Sequence, residues 1–210
     1  MAVHYRTQGF LIKKTDRGES DRLFSVYTKN FGKIRVLGKS IRKIGSKLKS
    51  GAELFCLSEV EFIQGKAYKT LTDAILIEDF PNIRNDLKKL KIIRQITEIL
   101  DLFISKEEKD EQVWRLLNEV FDKLNNKQFS INNITLIYYY FFWNFVSILG
   151  YGPEFRDCTI NKTKTDCDAV KIIKVMLKKD WGILSRLRIT PSHERLLKNV
   201  SEWYTKKTIV

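Results

Sequence analysis

From Thr7 to Phe80 the chain is patterned in steps of two, and this alternation restricts the region to a small β structure. Five strands are expected: Thr7–Lys14, Asp21–Thr28, Lys33–Gly38, Glu53–Ile63 and Ala67–Phe80. In the second, Leu23, Ser25 and Tyr27 share one face while Phe24, Val26 and Thr28 share the other. In the third, Ile34 and Val36 oppose Lys33, Arg35 and Leu37. Turn-forming residues fall between the strands, at Asp16-Arg17-Gly18, Asn30-Phe31-Gly32, Gly45 to Gly51 and Gln64-Gly65-Lys66. β-branched and aromatic residues cut at these spacings predict a small antiparallel barrel or sandwich.

The charges on this region are one-sided. Between Arg22 and Lys49 all nine charged residues are basic, in a chain whose net charge is +13. Such an excess calls for a polyanionic partner, either nucleic acid or an anionic membrane surface. A Lys-, Ile- and Asn-rich composition imposed by an AT-rich genome explains part of the total but not the clustering. A barrel with a basic strand and a basic loop is a reader of nucleic acid in outline. Candidate phosphate contacts are Lys33, Arg35, Lys39, Arg42, Lys43, Lys47 and Lys49, with Ser40 and Ser46 as hydroxyl donors. Tyr27 and Tyr68 are candidate stacking faces for bases, whereas Phe24 and Phe31 read first as core.

After Phe80-Pro81-Asn82 the period changes to that of a helix. Leu87, Leu90, Ile93, Ile96, Ile99, Leu100 and Phe103 make one apolar stripe, with Lys88, Lys89, Lys91 and Arg94 on the other side. A second helix is expected over Glu111–Leu124 and a third over Asn132–Leu149. The third is apolar nearly all round, yet it is shorter than the ~20 residues a membrane span needs, and Asn144 and Ser147 interrupt it. It reads as the central helix of a bundle. Glu154 to Asp166 is polar and irregular; helical spacing resumes over Asp168–Lys179, Ile183–Leu187 and from Pro191 onward. Thr190 and Pro191 suit the N-cap and first helical positions. The fold class is α+β, with a five-stranded barrel over residues 1–80 ahead of an all-helical domain over 81–210.

No constellation of catalytic residues stands out. His4 is placed at a frayed end and His193 in the first turn of the last helix, neither in a nucleophile motif. Gly38-Lys39-Ser40 has the tail of a phosphate loop without its first glycine. Asp166 and Asp168 read as helix-capping acids. The chain is therefore expected not to be an enzyme and to use no cofactor. Three cysteines, Cys56, Cys158 and Cys167, imply no disulfide framework and a reducing compartment. Without an apolar leader at the N-terminus, a cytoplasmic location is expected. Cys158 and Cys167 offer at most two ligands, too few for a tetrahedral zinc site, so no metal is expected. Cys56 belongs with the fourth strand.

These residues resemble the RecO family of bacterial recombination mediators. The likeness runs from Gly9-Phe10-Leu11-Ile12 through Glu19-Ser20-Asp21-Arg22-Leu23 and Phe31-Gly32-Lys33 to Val36-Leu37-Gly38-Lys39-Ser40-Ile41-Arg42-Lys43. It resumes at Leu149-Gly150-Tyr151-Gly152-Pro153, at Cys158 and in Arg195–Tyr204. The resemblance implies an OB-fold for 1–80 and a helical domain with a vestigial zinc-module loop near 153–167. Only Cys158 stands where the family has a zinc cysteine, so this is a short form with a degenerate module. It further implies binding of single- and double-stranded DNA and ATP-independent annealing of complementary strands. RecR, the tail of single-strand-binding protein and, indirectly, RecA loading are the implied partners. Two other readings fit the residues without the resemblance: an RNA-binding or ribosome-associated OB-fold protein, and a helical adaptor whose barrel is only structural.

Overall fold

Strands β1 (His4–Arg17), β2 (Asp21–Thr28), β3 (Gly32–Gly38), β4 (Leu57–Ile63) and β5 (Lys69–Glu78) close into a barrel in the order β1-β2-β3-β5-β4. All pairs are antiparallel except β3 with β5, which run parallel. The structure is a computed structural model that describes residues 3–209 apart from 106, 130 and 132, without the side chains of 208 and 209. Alternation decides which residues fill the barrel: Leu11, Phe24, Val26, Ile34, Val36, Val60, Phe62 and Leu71 point inward and form its core.

The opposite faces of β1 and β2 are also apolar, and the helices cover them. Phe10 and Tyr27, cross-strand neighbours, join the core of the helical part with Phe80. The Phe10 ring lies 4.5 Å from that of Phe121 and 5.3 Å from that of Trp114. Truncating either phenylalanine to Ala is expected to cost about 3–5 kcal/mol. The barrel and the helices thus share buried surface.

The helical part comprises α1 (Pro81–Arg84), α2 (Leu87–Phe103), α3 (Glu111–Asn125), α4 (Thr135–Ile148), α5 (Cys167–Leu177), α6 (Trp181–Arg186) and α7 (Pro191–Ile209). Asp86, Asp110, Asp166 and Asp180 cap α2, α3, α5 and α6 by accepting from backbone N–H groups that have no partner within the helix. Helix α4 is central, buried continuously from Tyr139 to Val146. Among the described residues no helix is long and apolar enough to cross a membrane.

The α+β class stands, with a barrel first and helices after. Several details differ from the sequence reading. Strand β1 starts at His4, paired with Ile63, so His4 is not at a frayed end. Strand β4 starts at Leu57 rather than Glu53, because Phe55 takes a positive φ of 61° that ends extended pairing. Leu87 is 85% exposed: as the first residue of α2 it precedes the buried stripe. Helix α4 begins at Thr135; Asn132, where it was expected to begin, lies outside the described residues. Helix α6 opens at Trp181 rather than Ile183. The stretch read as irregular holds a three-stranded sheet of β6 (Phe155–Arg156), β7 (Thr159–Ile160) and β8 (Thr163–Lys164).

Candidate nucleic-acid interface

The basic loop is a displayed segment with buried anchors. Strand β3 ends at Gly38, Ser40 turns the chain with φ at 52°, and Ile41, only 3% exposed, joins the barrel core. Ser40 N–H donates to the Asp21 carboxylate at 2.7 Å and Arg42 N–H to the Ser20 carbonyl at 3.0 Å. Ala52 is buried and Leu48 half-buried against the same core, which fixes the returning limb through the 3-10 turn at Lys47–Lys49. Around these anchors Lys39, Arg42, Lys43, Lys47 and Lys49 are all exposed. Arg42 is the most constrained, donating to Gly18 O at 3.2 Å with its Nε 3.6 Å from Asp16. Arg22 donates to the same carboxylate at 2.7 Å, and this hydrogen bond, against partial desolvation, holds Asp16 below the ordinary carboxylate pKa.

The remaining candidates fare differently. Lys33 is not a free cation: its Nζ donates to the Asp101 carboxylate at 3.0 Å and to the Asp101 carbonyl at 2.6 Å. Lys13 donates to the same carboxylate at 2.8 Å. Burial raises the Asp101 pKa, but these two hydrogen bonds outweigh it, and the group titrates below its ordinary value. Arg35, two residues on and on the same outer face, is exposed.

Tyr27 is a correction to the sequence reading. It is fully buried, roughly parallel to Trp114 at 6.5 Å, and its hydroxyl donates to Asp110 O at 3.3 Å. The outer face it occupies is covered by α3, so it offers no ring to a base, and burial raises its phenol pKa. Tyr68 is half-buried at the barrel surface, with the Arg17 guanidinium 5.7 Å from its ring centre. On α2, Lys88, Lys91 and Arg94 are exposed, while Lys89 donates to Leu124 O at 2.7 Å and Arg94 pairs with Glu98.

Sequence reasoning missed the carboxylates that meet this surface. Asp101 and Glu107 come from the end of α2 and the segment after it. No local signal ties Lys69 to a glutamate 38 residues on, although the two touch. The cysteine reading also needs correcting. Cys158 and Cys167 are joined as a disulfide, because the two turns of the small sheet return the chain until their Cα atoms lie 4.5 Å apart. Sulfurs bonded to each other are not thiolate ligands. Among the described residues no three His, Cys, Asp or Glu side chains gather to hold a metal, so the residues present do not fit a four-ligand zinc site.

A closed five-stranded barrel of OB type, with a solvated cationic loop and a helical part sharing its outer face, defines a protein of the barrel-and-helix class. The chain belongs to the recombination protein O family: the family's N-terminal model matches residues 1–80 and its C-terminal model residues 84–171. Its relatives include the DNA repair protein RecO of Dehalococcoides mccartyi, 34% identical over 154 residues, which cover 73% of this chain and 59% of that protein. The protein of the same name from Acetivibrio thermocellus is 30% identical over 158 residues, 74% of this chain and 61% of the relative. That of Trichodesmium erythraeum is 26% identical over the whole of this chain and 75% of its own length. The chain spans about 59% of the length of the first of these relatives.

Proposed function

We propose that this chain binds single- and double-stranded DNA and anneals complementary strands without ATP, as a mediator of recombinational repair in the cytoplasm. The observation that carries this reading is the loop of five exposed cations, Lys39, Arg42, Lys43, Lys47 and Lys49, anchored to a barrel of a recombination family. Phosphates bound along the loop release counterions, which supplies affinity without reading sequence. Two strands held against one cationic surface repel each other less, and their base edges stay free to pair. This is a binding role, with no covalent step. Arg35 and Tyr68 extend the surface along β3 and the β4–β5 turn.

In this reading residues 1–80 hold DNA and residues 81–210 hold protein partners: RecR, the tail of single-strand-binding protein and, through them, RecA loading. Helix α4 is too deeply buried to offer its aromatic residues to such a tail. A better place for an acidic, apolar tail is a cleft of about 250 Å³ lined by Leu196, Val200 and Trp203, with Lys164 at its edge. Lys207 adds a second cation, 5.1 Å from the centre of the Trp203 ring.

The test is a pair of measurements on the purified chain. Binding is titrated with single-stranded DNA, duplex and RNA probes, and annealing of complementary oligonucleotides is timed without nucleotide. The reading predicts salt-dependent binding to both DNA forms and annealing faster than the spontaneous rate. Binding confined to RNA would replace it with the ribonucleoprotein reading, and no salt-dependent binding would leave the barrel as a structural unit.

A further inference from the structure

On β3, four residues ahead of Lys39, Arg35 stands in a cleft of about 530 Å³ between the barrel and the segment that joins α2 to α3. One wall carries Arg35, Gln64, Tyr68 and Lys69; Asp101 and Glu107 face them. Two lysines of this cleft are held by carboxylates, and the two pairs are built differently. Lys33 and Asp101 are 10% and 14% exposed, and Asp101 stands on helix α2 with Lys13 as a second partner. That pair belongs to the seam between barrel and helices. Glu107, by contrast, is 53% exposed on irregular chain, and both its oxygens accept from Lys69 Nζ, at 2.7 and 2.6 Å. Lys69 itself is only 13% exposed. Removing Glu107 from it requires no change in a helix or a strand.

Glu108 to Asp110 of the joining segment are nonetheless in a fixed place. Gly32, with φ at 62°, lies under it so closely that a Cβ would fall 2.1 Å from the Glu108 carbonyl oxygen. The Tyr27 hydroxyl holds its far end at Asp110 O. A side chain on a pinned but irregular backbone is delivered to one position and can still rotate away. Two carboxylate oxygens on one ammonium also reproduce how two non-bridging phosphate oxygens meet a lysine.

We propose that this cleft takes one nucleotide of a single strand, its phosphate on Lys69 and Arg35 and its base against Tyr68, and that Glu107 occupies the phosphate position until a strand displaces it. Glu107 is then a latch that weakens binding of isolated or short strands. A strand already engaged on the loop at Lys39–Lys49 displaces it readily, because its next phosphate arrives at high local concentration. The proposal rests on the reading of the barrel as a binder of nucleic acid and adds to it a path for the strand and a competitor within the chain.

The test is fluorescence anisotropy of a labelled oligothymidylate with the full chain at low salt. An exposed ion pair contributes on a scale that predicts about two- to fivefold tighter binding for Glu107→Gln. Glu108→Gln, an equal change of charge on the adjacent exposed residue, should tighten it clearly less. Lys69→Met, which keeps the aliphatic stem, should weaken binding and abolish the response to E107Q, whereas Lys69→Arg should preserve that response. Equal tightening by E107Q and E108Q, or an E107Q effect that survives in K69M, would mean a diffuse charge effect and overturn the latch. The doubly substituted loop variant R42A/K43A separates the two levels of the argument. If it weakens binding while E107Q is silent, the cleft proposal alone fails; if neither changes binding, the loop fails with it as the strand's path, and a parent without salt-dependent binding would remove the nucleic-acid reading itself.

Discussion

Lys33 Nζ sits 3.0 Å from the Asp101 carboxylate and 2.6 Å from the Asp101 carbonyl, so a cation from the middle of the basic run is used to join β3 to α2. Being 10% exposed, it has exchanged water for these two acceptors and Asp101 has no freedom to leave. The cationic surface therefore begins at Arg35 and Lys39, and the pair is a structural feature of the seam.

Asp101→Ala should lower the unfolding free energy by about 2 kcal/mol, the scale of hydrogen bonds to charged groups, measured by urea titration near neutral pH. The pH dependence has a definite sign. A carboxylate whose folded pKa is depressed contributes stability in full above its unfolded value of about 3.9 and loses it as pH falls through the folded value. The gap between parent and variant should stay level down to about pH 4 and close below it. A gap that widened in acid would contradict the assignment of Asp101 as the depressed partner.

Tyr27 and Tyr68 should separate cleanly. Tyr27→Phe removes one hydroxyl from the seam, costs about 1 kcal/mol of stability or less, and leaves oligonucleotide affinity unchanged. Tyr68→Ala should leave stability nearly unchanged and weaken binding of single strands by about 1–3 kcal/mol, the scale of one stacked base. Loss of DNA affinity in Y27F without loss of stability would contradict the buried placement.

The contrast between these tyrosines marks what the sequence could reveal. Period-two patterning places Phe24 and Val26 inside the barrel and Tyr27 outside it, and that much was readable. The cover that α3 lays over Tyr27 was not, since Trp114 and Asp110 lie more than eighty residues away and nothing local announces a helix on an outer barrel face. The same holds for Lys33 with Asp101 and Lys69 with Glu107. The loop from Lys39 to Lys49 was legible as an exposed basic segment because both its anchors, Ile41 and Leu48, are within it. The small sheet at Phe155–Lys164 escaped because strands of two residues carry no detectable period, and the meeting of Cys158 with Cys167 depends on its two turns.

Reducing the Cys158–Cys167 bond, or changing Cys158 to Ser, should cost about 2–3 kcal/mol by the entropy of closing so short a loop. C158S, C167S and the double variant should melt alike, and a thiol reductant should affect only the parent. DNA affinity should be indifferent to all three changes. A parent protein insensitive to reductant would contradict the bond's contribution.

The cleft at Leu196, Val200 and Trp203 should bind a labelled peptide that ends in acidic and apolar residues. Trp203→Ala should abolish that binding by removing the ring that closes the apolar floor, and neutralising Lys164 should weaken it in a salt-dependent way. Both variants should keep the parent's affinity for DNA. Peptide binding undiminished in W203A would place the tail elsewhere on the helices.

The most direct test of the central claim is the salt dependence of single-strand binding in the parent and in R42A/K43A. With Lys39, Arg42, Lys43, Lys47 and Lys49 each neutralising a phosphate, the logarithm of affinity should fall against the logarithm of salt with a slope of roughly −3.5. Raising salt from about 50 to about 200 mM then weakens binding roughly a hundredfold. Removing two of the five cations should flatten the slope by about one to two units and slow annealing in step, with the fold retained. A folded R42A/K43A protein with the parent's slope and annealing rate would contradict the account and move the search for the strand's path to Lys88, Lys91 and Arg94 on α2.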